Sequence, residues 1–229
     1  KIPTPPSPIQ VRRDAEVTEA DISAAVTKWM GEPLPDLVSG NLNVAAEWER
    51  LQAGVLNWDE DELKVEAYVG NPICIRRQQS QIKRCANKNF GSSLEQAFNS
   101  PELVRPAIRG VIRAKDPLTP KRLLRELRKI TRAPWNMPPL LAKAVVERYC
   151  PTGGLVYDPC AGFGGRLLGA MAAVNIPSYI GRDASPEVIA ASRDIVELDL
   201  KGLCDIERVR SLTAGSSEDW EATPGDVDL

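Results

Sequence analysis

Leu155-Val156-Tyr157-Asp158-Pro159-Cys160-Ala161-Gly162-Phe163-Gly164-Gly165-Arg166 is the stretch of this 229-residue chain that decides its fold. It begins with a short apolar run typical of a buried strand, continues through a turn with three glycines, and enters an apolar helix. Because glycine has no Cβ, such a turn lets the backbone approach a ligand closely before the helix begins. The stretch therefore predicts a ligand-binding strand, turn and helix.

The segments on either side of this stretch alternate between helix and strand. A helix is predicted over 139–149 before it, and helices over 166–174 and 186–198 alternate after it with strands over 178–180 and 209–212. This rhythm predicts an α/β fold with a parallel sheet for residues 134–229. Residues 1–133 are predicted to form a separate, mainly helical region, with helices near 18–30, 44–55 and 120–131 and a strand over 63–69.

A carboxylate follows the second predicted strand. Asp183 lies 21 residues beyond Gly162, where an acidic side chain can accept hydrogen bonds from both hydroxyls of a ribose. A nicotinamide dinucleotide site shares these two features, but its first strand usually runs straight into the first glycine, and here Asp158-Pro159 intervenes. The alternative to a ligand site is a tight turn between strand and helix, in which Asp183 only caps the next helix.

The residues from Val156 to Gly165 resemble the Asp-Pro-x-x-Gly-x-Gly motif of class I S-adenosylmethionine-dependent methyltransferases, most of all those that methylate amino groups in DNA. Trp135-Asn136-Met137-Pro138-Pro139 is similar to the segment that this family places before its glycine motif, around the methionine end of the cofactor. Tyr179-Ile180-Gly181-Arg182-Asp183 resembles the family's ribose-binding motif. The likeness covers roughly residues 134–229.

The resemblance implies a Rossmann-like methyltransferase sheet, apparently incomplete at its C-terminal end, with S-adenosylmethionine as the cofactor. It implies cofactor contacts from these residues: Asp158, Pro159, Cys160, Ala161, Gly162, Phe163, Gly164, Asp183, Ala184 and Ser216. Ser216 would contact the adenine, although the family commonly has Asp at that position. The family's catalytic tetrapeptide, an Asp, Asn or Ser followed by Pro-Pro and an aromatic residue, is expected beyond Leu229. No catalytic residue is therefore predicted within the chain.

The charges are unevenly distributed along the chain. Residues 71–150 contain 17 basic and 5 acidic side chains, whereas residues 1–70 and 151–229 each contain 6 basic and 13 acidic ones. A basic middle between acidic ends predicts contact with a polyanion, and we expect nucleic acid, DNA in particular, to bind through the basic region 71–132. Basic side chains that only keep a helix face solvated are the alternative.

Composition excludes several classes of function. The chain has no histidine, so a His-ligated metal and a Ser-His or Cys-His nucleophile are excluded within it. Its five cysteines lack zinc-knuckle spacing, and no metal is expected. No signal peptide or membrane span is recognisable, which predicts a cytoplasmic protein without a membrane partner.

The sequence thus predicts an S-adenosylmethionine-dependent enzyme that methylates an exocyclic amino group of a DNA base, as in restriction-modification. An RNA methyltransferase would share every one of these signals. A non-catalytic binding or assembly subunit that kept the methyltransferase fold is the alternative from a different class. The target sequence and the oligomeric state are not predicted.

Overall fold

The computed structural model of the chain describes residues 17–38, 41–56, 68–86, 91–219 and 227–229. These residues form a mixed α/β structure, as predicted, and they contain nine α-helices and a three-stranded parallel sheet. The helices are α1 (Glu19–Met30), α2 (Val44–Ala53), α3 (Asn71–Arg84), α4 (Leu94–Phe98), α5 (Pro101–Arg113), α6 (Pro120–Thr131), α7 (Pro139–Tyr149), α8 (Gly165–Ala172) and α9 (Pro186–Asp194). The strands are β1 (Leu155–Asp158), β2 (Ser178–Asp183) and β3 (Val209–Ala214).

The chain divides into two compact units. The helical unit comprises Lys1–Leu37 and Ile82–Pro134, and the sheet unit comprises Val38–Gln81 and Trp135–Leu229. The described residues of the first segment, 38, 41–56 and 68–81, therefore belong to the sheet unit, although they were predicted as part of the N-terminal region. The predicted division of the chain into residues 1–133 and 134–229 stays a prediction.

The helical unit follows local sequence signals closely. Thr18 and Asp21 form the predicted capping box at the start of α1, and Thr119 accepts a hydrogen bond from Arg122 N at the start of α6. The apolar face of α6 is buried, with Leu123 and Leu127 fully covered. Helices α3, α4 and α5 were not predicted. Pro and Gly within α5 interrupt the usual helical signals, and its burial is decided by packing against α1 and α6.

The sheet unit is built from parallel strands in the order β1-β2-β3. Val156 pairs with Tyr179 and Gly181 with Leu212, so these side chains point to one face of the sheet. That face is buried together with residues of α8 and α9 in an apolar core of the unit. The predicted helix over 186–198 is regular as α9 and then widens into a π-helical turn, Ile195–Leu200.

A further segment lies beside β1. The N–H groups of Asp228 and Leu229 donate to Leu155 O at 3.0 and 3.2 Å, and Tyr157 N–H donates to Leu229 O at 2.8 Å. This is the hydrogen-bond pattern of a parallel pair. On β1, Gly154 O faces β2 and accepts from Ser178 N, so the neighbouring Leu155 O faces the other edge. Residues 227–229 therefore extend the order to β3-β2-β1-(227–229).

Helices α7 and α8 approach each other through glycine. A Cβ on Gly169 would lie 2.6 Å from the Ala142 Cβ, and a Cβ on Gly165 would overlap Met137 O. Both glycines therefore serve packing, so Gly165 does not have the role of ligand approach that was predicted for the three glycines of the turn. This contact fixes the start of α8, and with it the loop that precedes the helix.

Candidate functional site

The carboxyl ends of β1 and β2 bring the two predicted features together. Gly162 N–H, in the loop after β1, donates to Asp183 Oδ2 at 2.9 Å. The backbone adds a second link, because Ala161 N–H donates to Arg182 O at 2.7 Å. The glycine loop and the distal carboxylate, 21 residues apart in sequence, thus form one site at the edge of the sheet where ligands of open α/β folds bind.

Asp183 is held by the backbone and remains partly accessible. Its Oδ1 accepts from Ser185 N at 3.0 Å, while Oδ2 accepts from Gly162 N. The side chain is half-buried. An ionised carboxylate has about four acceptor positions, so two are left for a ligand. Asp183 itself does not cap α9: Ser185 does so by accepting from Val188 N.

The loop between β1 and α8 depends on two glycines in left-handed conformation. Gly162 has φ +56° and Gly164 has φ +86°, a region that other residues rarely adopt. At Gly162 a Cβ would make only ordinary van der Waals contacts, the nearest at 3.6 Å to Cys160 O, so it would fit without a clash. At Gly164 a Cβ would lie 2.9 Å from Ile195 Cδ1. Gly162 therefore leaves room on the site side, and Gly164 leaves room on the core side.

Asp158 occupies a different environment from Asp183, because its carboxylate is buried and accepts three hydrogen bonds. Oδ2 accepts from Arg166 Nε at 2.8 Å and from the Tyr179 hydroxyl at 2.7 Å, and Oδ1 accepts from Cys160 N at 3.3 Å. Arg166 also donates through Nη2 to Cys160 O. The side chain of Arg166 thereby links Cys160, in the loop, to Asp158 at the end of β1.

The ionisation of this cluster follows from burial and charge. Burial, together with the negative charge of Asp158, raises the pKa of Tyr179 well above its usual value, so its hydroxyl stays a donor. Burial lowers the pKa of Arg166, but the hydrogen bond and charge of Asp158 outweigh it, and the net pKa is raised. The cluster is therefore a stable ion pair with a neutral phenol.

The segment before α7 supports the start of α8. Asn136 Oδ1 accepts from Gly165 N at 3.1 Å, and its Nδ2 donates to Asn71 Oδ1 at 2.8 Å. Gly164, the N-cap residue, has no side chain to perform this function. Asn136 thus replaces the missing cap, and buried Asn71 at the start of α3 orients it. Trp135, one residue earlier, is 65% exposed.

The remaining predicted site residues lie at the same edge. Pro159, Cys160 and Ala184 are exposed, Phe163 is half-buried and Ala161 is buried. Ser216 follows β3, where Gly215 N donates to Asp183 O at 2.9 Å. The Ser216 hydroxyl accepts from Glu218 N, so it is used within its own turn.

Three further residues that contribute to the site were not predicted from the sequence: Arg166, Tyr179 and Ser185. The position of Ser185 two residues after Asp183 and just before Pro186 was a readable N-cap signal. Neither Arg166 nor Tyr179 had one, because their contact with Asp158 depends on strand register and on the direction of α8.

The basic region 71–132 uses many of its cations internally. Asp199, whose side chain is 1% exposed, pairs with Arg77 at 2.7 Å and with Arg76 at 2.7 Å. Glu19 pairs with Arg105 and Arg109, and Asp36 with Lys83. These cations form ion pairs within their own units. The number of basic side chains in the region therefore exceeds the number that is available to a partner. Lys88 lies outside the described residues.

The residues that the structure describes hold neither a candidate metal site nor a helix suited to span a membrane. They contain no group of three or more His, Cys, Asp or Glu side chains placed to hold a metal ion. None of their helices combines the length and the apolarity needed to cross a membrane.

Comparisons with models of protein families, with curated proteins and with solved structures gave no match to this chain. The geometry of the site is therefore the basis for assigning its function.

Proposed function

We propose that the sheet unit binds S-adenosylmethionine at the carboxyl ends of β1 and β2, and that the chain acts in the methylation of nucleic acid. One observation carries the proposal: Asp183 is fixed by two backbone N–H groups, one from the glycine loop, and keeps acceptor positions free. Such a carboxylate can accept from both hydroxyls of a ribose. A Rossmann-like sheet is part of the same proposal.

The order of the strands supports this location. In doubly wound sheets a ligand occupies the crevice where the order of strands reverses, beyond their carboxyl ends. Here β2 and β3 lie on one side of β1, and residues 227–229 lie parallel on the other. The reversal falls at β1, whose carboxyl end leads directly into the glycine loop.

The environment of Asp158 favours a methyl donor over a dinucleotide. A dinucleotide brings a pyrophosphate against the glycine loop and the start of the following helix. In this chain the Asp158 carboxylate lies beneath that loop, and Asn136 Oδ1 occupies the first N–H of α8. A donor with no phosphate has no need of that N–H and no repulsion from Asp158.

The residues of the site then have separate tasks. Asp183 would hold the ribose, while Gly162 and its neighbours would line the rest of the donor through backbone atoms. Arg166 and Asp158 act on the loop and not on the ligand, since they keep it in place. Bound S-adenosylmethionine would supply an electrophilic methyl group for transfer to an acceptor nitrogen.

The acceptor that we propose is an exocyclic amino group of a DNA base. It rests on the resemblance in sequence and on the cations of the helical unit. A base in a duplex would have to leave the helix to reach the donor. The experiment that separates the alternatives is methyl transfer from labelled donor to duplex DNA and to RNA, side by side. Transfer to RNA alone would show that RNA, and not DNA, is the substrate.

Calorimetric titration with S-adenosylmethionine tests the site directly. Loss of two hydrogen bonds to a charged group predicts that Asp183→Ala weakens binding about 100-fold. Glu197→Ala is the matched control, because it removes an exposed carboxylate of the same unit outside the site. NAD should not bind. Equal affinity of the donor for the wild type and Asp183→Ala, or tight binding of NAD, would overturn the proposal.

A further inference from the structure

The turn between α5 and α6 holds a concentration of positive charge in the helical unit. Between Arg113 and Arg125 it has five cationic side chains and one carboxylate, Asp116. Arg122 and Arg125 share Asp116, at 3.3 and 2.7 Å. Arg113, Lys115 and Lys121 are exposed. Within the described part of the chain, none of these three has an ion pair.

The backbone of this turn is well fixed. Lys115 N donates to Ile112 O at 2.8 Å and Asp116 N donates to Val111 O at 3.2 Å, the two bonds of a Schellman motif at the end of α5. Leu118 is 1% exposed and anchors the turn in the core of the unit. Thr119 then caps α6. The cations therefore project from a preorganised support, which lowers the entropy cost of binding a partner.

Lys115 is the residue that suggests a function. It occupies the position of the Schellman motif at which φ is positive, here +53°, and at which glycine is the usual residue. A Cβ makes that conformation strained, and no ion pair within the described residues compensates for it. Glycine would satisfy the motif without this strain, so an exposed lysine at the position favours a use for its charge.

We propose that the α5–α6 turn, through Arg113, Lys115 and Lys121, binds the phosphate backbone of duplex DNA. The choice of DNA as the polyanion rests on the function proposed above. These side chains would contact phosphates and not bases, because the turn has no aromatic residue to stack on a base. Arg76 and Arg77 of α3 and Arg105 and Arg109 of α5 are excluded from this surface, because Asp199 and Glu19 already pair with them.

The test measures binding of a fluorescently labelled DNA duplex to the full chain by anisotropy, without methyl donor, from 50 to 200 mM salt. For Arg113→Gln/Lys115→Gly/Lys121→Gln, loss of three phosphate contacts predicts a slope of log affinity against log salt that is shallower by about 2.7. Affinity should fall at least about 10-fold at 150 mM salt. Lys115→Gly alone should reduce the slope by about 0.9 and leave the melting temperature equal or higher.

Two controls separate charge at the turn from other effects. Lys28→Gln/Lys201→Gln/Arg210→Gln removes the same number of exposed charges elsewhere and should leave the slope close to that of the wild type. Ile176→Gly relieves the same left-handed conformation, φ +51°, without loss of charge, and should not change DNA binding. Equal losses in the two triple variants would overturn the inference, because net charge alone would then explain them.

Other partners are resolved by the same variants. If the turn variant loses binding to an RNA duplex or to phosphatidylserine vesicles while its DNA affinity is unchanged, DNA is the wrong partner and the inference falls. The turn variant should keep its affinity for S-adenosylmethionine, and Asp183→Ala should keep its affinity for DNA. Failure of the donor site is therefore distinguishable from failure of the DNA surface.

Discussion

The ends of β1 and β2 both carry an aspartate at the same edge of one sheet, yet their carboxylates occupy opposite environments. Asp158 is 5% exposed and its partners are the side chains of Arg166 and Tyr179 and the backbone of Cys160. Asp183 is half-buried and its partners are two backbone N–H groups. Side-chain partners close a site, whereas backbone partners orient a carboxylate and leave it available. Equivalent positions in a sequence motif therefore do not imply equivalent roles.

Removal of each carboxylate should separate stability from binding. Asp158→Ala leaves Arg166 and the buried Tyr179 hydroxyl without their partner, and we expect a loss of about 3 kcal/mol in the free energy of unfolding. Asp183→Ala should cost less than about 1 kcal/mol, because its lost partners lie near solvent. Urea denaturation of both variants measures the difference. Similar losses for the two would contradict the contrast between a closed and an available carboxylate.

Tyr179→Phe should sharpen the description of the closed end. It removes one hydrogen bond to Asp158, at a cost of about 1–1.5 kcal/mol near neutral pH. The raised pKa of Tyr179 in the fold stabilises the wild type fully below the unfolded pKa near 10, and that contribution is lost as pH rises toward the folded pKa. The difference in unfolding free energy between wild type and variant should therefore shrink above pH 10. A constant difference would mean that Tyr179 is not held neutral.

Gly162→Ala tests the loop between the two carboxylates. A Cβ at this position would make only ordinary van der Waals contacts, so the left-handed φ of +56° is what opposes it, and we expect a cost of about 1 kcal/mol. Because Gly162 N–H holds Asp183 Oδ2, donor affinity should also fall. Gly153→Ala is the matched control, with φ +74°, open space and no place in the site. A similar stability cost without a change in donor affinity is expected for the control.

Cys160→Ser should have the smallest effect. The thiol is exposed, and the contacts of Cys160 with Asp158 and Arg166 use its backbone N and O. We expect unfolding free energy within about 0.5 kcal/mol of the wild type. Donor affinity should be unchanged in the same titration. A large loss of affinity would show that the sulfur itself contacts the ligand.

Local sequence signals carried the prediction of much of the fold. The helices predicted over 120–131 and 139–149 are confirmed residue by residue. The strands begin at residues 155, 178 and 209, as predicted, and β2 and β3 extend beyond their predicted ends. Caps, prolines and apolar periodicity are local, so they are readable without a structure. The predicted strand over 63–69 lies mostly outside the described residues, and Val69 is in a turn.

By itself, the sequence determined where the site would form: glycines that permit positive φ after one strand and an acid after the next. The tertiary structure decided what each residue does there. Strand register placed Tyr179 beside Asp158, the direction of α8 brought Arg166 back to it, and the start of α3 in the sheet unit supplied Asn71. The tertiary structure also decided which basic residues form internal ion pairs and which are exposed at the α5–α6 turn. These outcomes depend on contacts between residues distant in sequence, which no local pattern records.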